Sequence, residues 1–160
     1  MISSTVKTAT SSKTPTSRLT RTILALIMAF AAFFSLSACT SPSLWFKSDD
    51  QKIDMVVNSK QVKQEVAKVN SSKSSVGSVA VTHKGKTIIY TLKLKNQGYT
   101  DADLKKAMSG RTDTMFEAMH SSMSQIIQEC KDQVGVDGVK VRVDVYAEHG
   151  TLIASRTFDN

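Results

Sequence analysis

The chain has 160 residues, of which 21 are lysine or arginine and 14 are aspartate or glutamate, and its formal net charge at pH 7 is +7. The two cysteines are too few for a disulfide-rich framework or for a metal cluster held by cysteines. Residues 1–38 hold four of the basic side chains and no acidic one, which leaves 17 basic against 14 acidic side chains, or +3, in residues 39–160. More than half of the net positive charge therefore lies before residue 39, and the composition of residues 39–160 gives little support to nucleic-acid binding.

A basic leader and a short apolar segment open the chain. The leader, residues 1–22, has no acidic side chain, and the uncharged segment Ile23 to Leu36 that follows is 14 residues long. A permanent membrane-spanning helix needs about 20 apolar residues, so this segment is short for a span. It has the length of a signal-peptide core, with the positive charges on the side expected for export.

The apolar segment ends in Leu36, Ser37, Ala38 and Cys39, a run that resembles the lipobox of bacterial lipoproteins. In that family the cysteine thiol receives a diacylglyceryl group, and a peptidase cuts just before it. The resemblance implies that residues 1–38 are a removed signal peptide and that Cys39 is the lipid attachment residue. Two acyl chains hold a protein on a bilayer stably, because each buried methylene contributes about 0.8 kcal/mol. We therefore expect a lipid-anchored protein on the extracytoplasmic face of the cell membrane.

Residues 39–49 are predicted to be the lipidated cysteine and a tether, and residues 50–160 a single domain. At most about 3.5 Å per residue, the tether residues Thr40 to Lys47 keep the domain within roughly 30 Å of the bilayer. Trp45 and Phe46 fit two interpretations, since they either lie in the headgroup layer or pack onto the domain as the start of its core. The second interpretation is the simpler one.

Apolar spacing and capping residues predict the helices. A short helical turn is expected near residues 50–57, and a helix capped by Ser59 near residues 60–69. A longer apolar stripe covers residues 101–134, with Thr100 as the N-cap and Asp103 as its capping-box partner.

The long stripe lapses at Gly110, which favours a break in the helix there, with Thr112 as a second cap. Gly135 supplies the stop, and Val136 follows it as the apolar residue of a Schellman-type end. We therefore expect two helical pieces between residues 101 and 134.

Two alternating runs joined by Lys84-Gly85 predict a β-hairpin in which Val81 pairs with Ile88. Its register also pairs Val79 with Tyr90. All four apolar side chains then lie on one face.

A second hairpin follows, with His149-Gly150 at its turn. A two-residue turn pairs Val141 with Phe158, whereas a three-residue turn puts Ile153 opposite Val145, and the sequence leaves both registers open. The order helix–hairpin–helix–hairpin predicts an α+β fold, with a four-stranded antiparallel sheet and the helices packed on one face.

Three segments carry a second resemblance: Met55–Lys60, Lys86–Leu94 and Val143–Gly150. They resemble a family of small lipoproteins of unknown function from Gram-positive bacteria, over most of residues 50–160. The matching positions are turns and core residues. The resemblance therefore implies a fold and brings no catalytic residue with it.

Three histidines and one free cysteine are the candidates for chemistry. His83 and His149 lie at the two hairpin turns and would meet at one sheet end if the hairpins were adjacent, but no carboxylate completes a metal-ligand set, and no metal is expected. His120 is expected to point to solvent. Cys130 lies on the apolar helical face, which predicts a buried, inert thiol. The helical methionines are expected to be core residues, with an adaptable binding groove as the alternative: Met108, Met115, Met119 and Met123.

Basic side chains on the polar faces of the strands, together with Tyr146, form the candidate contact surface: Lys93, Lys95, Lys140 and Arg142. Such a surface attracts anionic headgroups or wall polymers, while an ordinary solvated face is the simpler interpretation.

No nucleophile motif, phosphate-binding glycine loop or carboxylate pair is present, so neither an enzyme nor a cofactor is expected. The favoured hypothesis is a membrane-anchored, non-catalytic binding or interaction module at the cell surface, whose partner is a protein, a peptide or an envelope polymer. The alternative is a structural or accessory subunit of a cell-envelope complex. A small hydrolase is the least favoured hypothesis.

Overall fold

The computed structural model describes residues 46–71 and 77–160. The leader, the apolar segment, the lipobox residues with Cys39, and Trp45 lie outside these ranges. The helices are α1 (Asp49–Val57), α2 (Lys60–Ser71), α3 (Asp101–Met108) and α4 (Thr112–Glu129), and α4 continues into a π-helical turn, Cys130–Val134. The strands are β1 (Gly77–Lys84), β2 (Thr87–Leu94), β3 (Lys140–Tyr146) and β4 (Leu152–Phe158). None of the helices in the described ranges has the length and apolarity needed to cross a membrane.

Polar side chains cap the helices at their first turns, mostly as predicted. The Ser59 hydroxyl accepts a hydrogen bond from the Val62 N–H at 3.3 Å, and the Thr100 hydroxyl accepts one from the Asp103 N–H at 3.1 Å. Asp103 completes a capping box with Thr100, which is confirmed. A second capping box, which the sequence reasoning did not find, opens α1 at Ser48 with Gln51.

The predicted break near Gly110 is confirmed, since α3 ends at Met108 and α4 begins at Thr112. Gly110 has a φ of +81°, a backbone conformation outside the helical region that glycine adopts without steric cost. The prediction that Thr112 caps α4 is wrong, because Arg111 is the N-cap residue and no side chain caps this helix. At the far end, Gly135 takes the left-handed conformation, and the Val136 N–H bonds to the Cys130 carbonyl at 3.2 Å, as expected for a Schellman-type stop.

The sheet has the order β1-β2-β3-β4 and is mixed. The two hairpins are antiparallel, but β2 and β3 pair in parallel, from Thr87 opposite Lys140 to Lys93 opposite Tyr146. The α+β class is therefore confirmed, and the prediction of a purely antiparallel sheet is wrong.

The parallel pairing follows from the length of the connection between the hairpins. Parallel neighbours need a crossover that carries the chain back along the sheet. With 18 residues, α4 is about 27 Å long, which matches the roughly 23 Å of the seven-residue strand β3. One pass of α4 therefore returns the chain to the end of the sheet at which β2 began.

The register of the first hairpin differs from the prediction. Val81 pairs with Tyr90 and Val79 with Leu92, because the two turn residues are Gly85 and Lys86, one position later than expected. Glycine then takes the first turn position with a φ of +56°, as type II′ hairpin turns require. A shift of two residues in the partner strand keeps every side chain on its predicted face.

A β-bulge settles the register that the sequence left open in the second hairpin. Val141 pairs with Phe158 and Val145 with Ala154, but Tyr146 pairs with Leu152. Ile153 is the extra residue. The first of the two registers is therefore the observed one, and the bulge accommodates a turn longer than two residues.

Buried side chains from all helices and strands form one hydrophobic cluster. Along β2 every second residue is buried, from Ile88 to Leu94, which confirms the predicted apolar face. Phe46 is 95% exposed, so the interpretation in which it starts the core is wrong for this residue. The capping box at Ser48 turns the chain into α1 only after Phe46, and Ile53 is the first core residue of the described part.

The outer edge of β1 is covered by a side chain from α2. The Asn70 amide donates to the Val79 carbonyl at 2.9 Å and accepts from the Val79 N–H at 2.8 Å. Asn70 thus supplies the two hydrogen bonds that a neighbouring strand would supply, and it attaches the end of α2 to the sheet.

Replacing Asn70 with alanine should lower the free energy of unfolding by about 1–2 kcal/mol, because two hydrogen bonds to the strand are lost. Gln64→Ala, at an exposed position of the same helix, is the matched control and should leave stability nearly unchanged. Urea denaturation followed by circular dichroism measures both variants. Equal stability of the two variants would contradict the role of Asn70.

Candidate functional site

Within residues 46–71 and 77–160, one face of the sheet has no helix packed on it, and we call it the open face. It consists of the side chains that alternate with the buried ones along the strands: Ser78, Ala80, Thr82, Lys84, Thr87, Ile89, Thr91, Lys93, Lys140, Arg142, Asp144, Tyr146, Leu152, Ser155 and Thr157. All helices contribute to the core on the opposite face. Every side chain of the open face except that of Asp144 is exposed or half-buried.

The predicted contact residues lie on or beside the open face, at both of its ends. Lys93 is directly opposite Tyr146 where β2 and β3 end, and Lys95 follows just beyond β2. Lys140 lies at the other end of β3, and Arg142 lies two residues further along. The structure thus separates Lys93 and Lys95 from Lys140 by nearly the length of the strands, and Arg142 lies between these two ends.

Asp144 lies in the middle of the open face and is only 5% exposed. The Arg142 guanidinium donates to one of its carboxylate oxygens, with Nε and one terminal nitrogen each at 3.0 Å, and the Ser155 hydroxyl donates to the other. A buried carboxylate needs such partners, because an unpaired charge is costly away from water. The sequence did not predict this cluster, because Ser155 comes next to Asp144 only through the pairing of β3 with β4.

The end of the sheet that holds the β1–β2 turn also holds α1, and we call it the α1 end. His83 lies between two α1 carboxylates, with Nε2 3.1 Å from Asp54 and Nδ1 3.6 Å from Asp50. The Lys86 ammonium lies 2.7 Å from Asp49, and its hydrogen bond lowers the pKa of that carboxyl. These contacts attach α1, and with it the start of the described chain, to the β1–β2 turn.

The opposite end, which we call the Asn96 end, holds a polar cluster around a buried asparagine. The Asn96 amide donates to Asp101 at 2.6 Å and accepts from the Glu148 N–H at 3.2 Å, while the Asn96 N–H donates to the Glu148 carboxylate at 2.9 Å. His149 Nδ1 lies 3.0 Å from the same oxygen of Asp101, and the Thr151 N–H donates to the other oxygen. The cluster joins the end of β2, the start of α3 and the β3–β4 turn.

Asp101 is the most strongly perturbed carboxyl of this cluster. Hydrogen bonds from Asn96 first, then from His149 and Thr151, hold its pKa well below the ordinary value of 3.8. A carboxylate held in its charged form and saturated with donors is suited to bracing the fold, and it is a poor general base. Sequence reasoning missed Asn96, because nothing local separates it from other polar residues after a strand.

The two hairpin turns lie at opposite ends of the sheet, because β2 and β3 are parallel. His83 is at the α1 end and His149 at the Asn96 end, so the idea that both imidazoles meet at one metal site is wrong. Within residues 46–71 and 77–160, no group of histidine, cysteine and carboxylate side chains is arranged to hold a metal ion. His120 is exposed, as predicted.

Cys130 is fully buried, which confirms the prediction. Burial, and after it the nearby charge of Glu129, raises the pKa of its thiol to about 12. Because the thiolate is the reactive form, this cysteine is unsuited to redox or nucleophilic chemistry near neutral pH. The methionines of the helical stripe are core residues too, each at most 4% exposed: Met108, Met115, Met119 and Met123.

Comparison with known families gives one match. The model of a family described as "Domain of unknown function (DUF4854)" matches residues 53–158. The chain belongs to this family. The match begins at Ile53 and ends at Phe158, which are the first and last buried apolar residues of the described part, so the DUF4854 region coincides with the folded core. Neither the search of curated proteins nor the search of solved structures found a match.

Acid should destabilise the fold partly through Asp101. Its pKa is lowered by folding, so its stabilising contribution is fully present above about pH 4 and is lost as the pH falls further. Asp101→Asn should therefore be less stable than the wild-type protein near pH 7, and the difference should shrink near pH 3. Urea denaturation at both pH values measures this.

Asp113→Asn, which removes an exposed carboxylate from the first turn of α4, serves as the control. Its difference from the wild-type protein should be the smaller of the two near pH 7. A stability difference for Asp101→Asn that stays constant with pH would show that the charge of Asp101 is not what stabilises the cluster.

Proposed function

We propose that this DUF4854 protein is a membrane-anchored extracytoplasmic lipoprotein that acts as a non-catalytic binding or interaction module at the cell surface. The anchor would be the diacylglyceryl group on Cys39, which lies outside the described residues. The binding surface would be the open face of the sheet.

The observation that carries this proposal is the uncovered open face. A sheet in a two-layer α+β domain needs helices on only one face, and all helices here contribute to the core on that face. The remaining face is polar and rich in hydroxyl groups, and Asp144 lies near its centre. Such a surface is suited to a partner that associates transiently with a polar face.

The anchor would hold the domain with its α1 end towards the bilayer. Cys39 lies seven residues before Phe46, so the part of the tether between these two residues spans at most roughly 25 Å. Because contacts from α1 to His83 and Lys86 place the start of the described chain beside the β1–β2 turn, that turn would face the membrane. The Asn96 end, with Lys93 and Tyr146, would point away from it.

One observation favours the alternative of an accessory subunit in an envelope complex. Phe46 is 95% exposed, so its aromatic side chain is available to a permanent protein partner. The methionines of the helical stripe lie in the core, so they are not part of a surface for such a partner.

Replacing Cys39 with serine tests the anchor. Cells that express the wild-type protein should incorporate labelled palmitate into it and retain it in the membrane fraction, since the thiol is the acylated group. The variant should lose both the label and the anchoring. Cys130→Ser is the matched control, because it removes the only other thiol and should keep both properties. Palmitate label on the Cys39→Ser protein would contradict lipid attachment at Cys39.

Photo-crosslinking on intact cells tests the open face. A photoreactive amino acid in place of Ala80, which is exposed in the middle of β1, should capture an envelope component. The same amino acid in place of Ser121, exposed on α4, is the control for the helical layer and should capture much less. Equal capture at both positions, or capture at Ser121 alone, would overturn the assignment of the open face as the binding surface.

A further inference from the structure

Acidic side chains are nearly absent from the sheet. The chain has 14 aspartate and glutamate residues, and Asp144 is the one that lies in a strand. The others belong to helices, turns and chain ends. The molecule therefore separates its charges, with carboxylates concentrated on the helical layer and at the two ends of the sheet.

The exposed charges of the open face are positive. Lys84 and Lys93 are exposed, and the structure gives neither an ion pair with any residue in the ranges it describes. Lys140 lies 3.2 Å from Asp159, but both side chains are more than half exposed, so this pair is weak and easily exchanged for another anion.

The one carboxylate of the face offers little repulsion to an approaching anion. Asp144 accepts hydrogen bonds on both oxygens, from Arg142 and Ser155, and its side chain is 8% exposed. The Arg142 side chain is 41% exposed beside it. An anion that lies on the face meets the guanidinium and the hydroxyl group before it meets the carboxylate.

Hydroxyl groups surround these cations. Threonine and serine side chains occupy positions on three of the four strands of the face: Ser78, Thr82, Thr87, Thr91 and Thr157. Hydroxyl groups donate hydrogen bonds to phosphate and carboxylate oxygens. Together the lysines and hydroxyl groups supply the donors that an oxyanion needs.

The spacing of the cations indicates an extended ligand. Lys84 and Lys140 flank Thr87 on neighbouring strands, so they are about 10 Å apart. Lys93 lies six residues further along β2, at about 20 Å. No single small anion reaches both groups, whereas a chain of repeating anionic units that runs along the strands does.

We propose that the open face binds a linear anionic polymer of the cell envelope, whose repeating phosphate or carboxylate groups contact Lys84, Lys140, Arg142 and Lys93. The proposal rests on the proposed function, since it names the partner class of the same face. A twisted sheet presents a saddle-shaped surface, which follows a polymer chain better than a flat bilayer. Leu152, 42% exposed, is the one strongly exposed large apolar side chain of the face, so insertion into a bilayer is poorly supported.

Binding of the full chain, purified in a neutral detergent, to immobilised long-chain polyphosphate tests this proposal. Affinity should fall with added salt, because exposed charges are screened. The variant Lys84→Glu, Lys93→Glu should bind at least about tenfold more weakly, since each lysine near an anionic surface contributes substantially. The matched control is Lys105→Glu, Lys106→Glu, which makes the same change in net charge at exposed positions of α3 and should bind within about twofold of the wild-type protein.

Three results would overturn the proposal: no binding of the wild-type chain, equal losses in both double variants, or binding that salt does not weaken. Thermal unfolding of each variant checks that the exposed substitutions leave the fold intact. A separate experiment measures binding to vesicles with and without anionic lipid. It uses protein that carries Cys39→Ser and lacks residues 1–38, so that no acyl chain contributes. Lysine-dependent binding to the anionic vesicles, without binding to polyphosphate, would show that the face binds a bilayer instead of a polymer. Crosslinking from Ala80 to an uncharged protein partner would support the proposed function, but it would contradict the proposal that the partner is an anionic polymer.

Discussion

The parallel pairing of β2 with β3 sets the layout of the fold. It requires the chain to return along the full length of the sheet between the two hairpins, and α4 makes that return over the apolar face. The two N-terminal helices contribute to the same core. In the part of the chain that the structure describes, no helix lies on the opposite face, and the two hairpin turns lie at opposite ends of the sheet.

Contacts at both ends hold this arrangement. At the α1 end, Lys86 donates to the Asp137 carbonyl at 3.1 Å, which ties the β1–β2 turn to the segment that enters β3. At the Asn96 end, the buried amide joins the exit of β2 to the start of α3 and to the β3–β4 turn. Asp101 is the first residue of α3 and also accepts the hydrogen bonds of this cluster. The cluster therefore holds the start of the connection between β2 and β3 in place.

The open face differs from the helical layer and the sheet ends in its distribution of charge. Its cations are exposed, and its single carboxylate is covered by its own neighbours. The proposed binding function relies on these exposed cations. In the core, burial raises the pKa of the Cys130 thiol and of the Tyr90 phenol, so neither group ionises readily near neutral pH.

Features that depend on near neighbours in the chain could be predicted from the amino-acid sequence. The Thr100–Asp103 capping box, the helix break near Gly110 and the alternation along β2 each involve residues a few positions apart, and each was predicted correctly. The tertiary structure alone decided the direction of β3, the bulge at Ile153 and the cluster at Asn96. Asn96 and Glu148 are 52 residues apart, and a contact at that separation exists only after the crossover has been packed, so no local pattern encodes it.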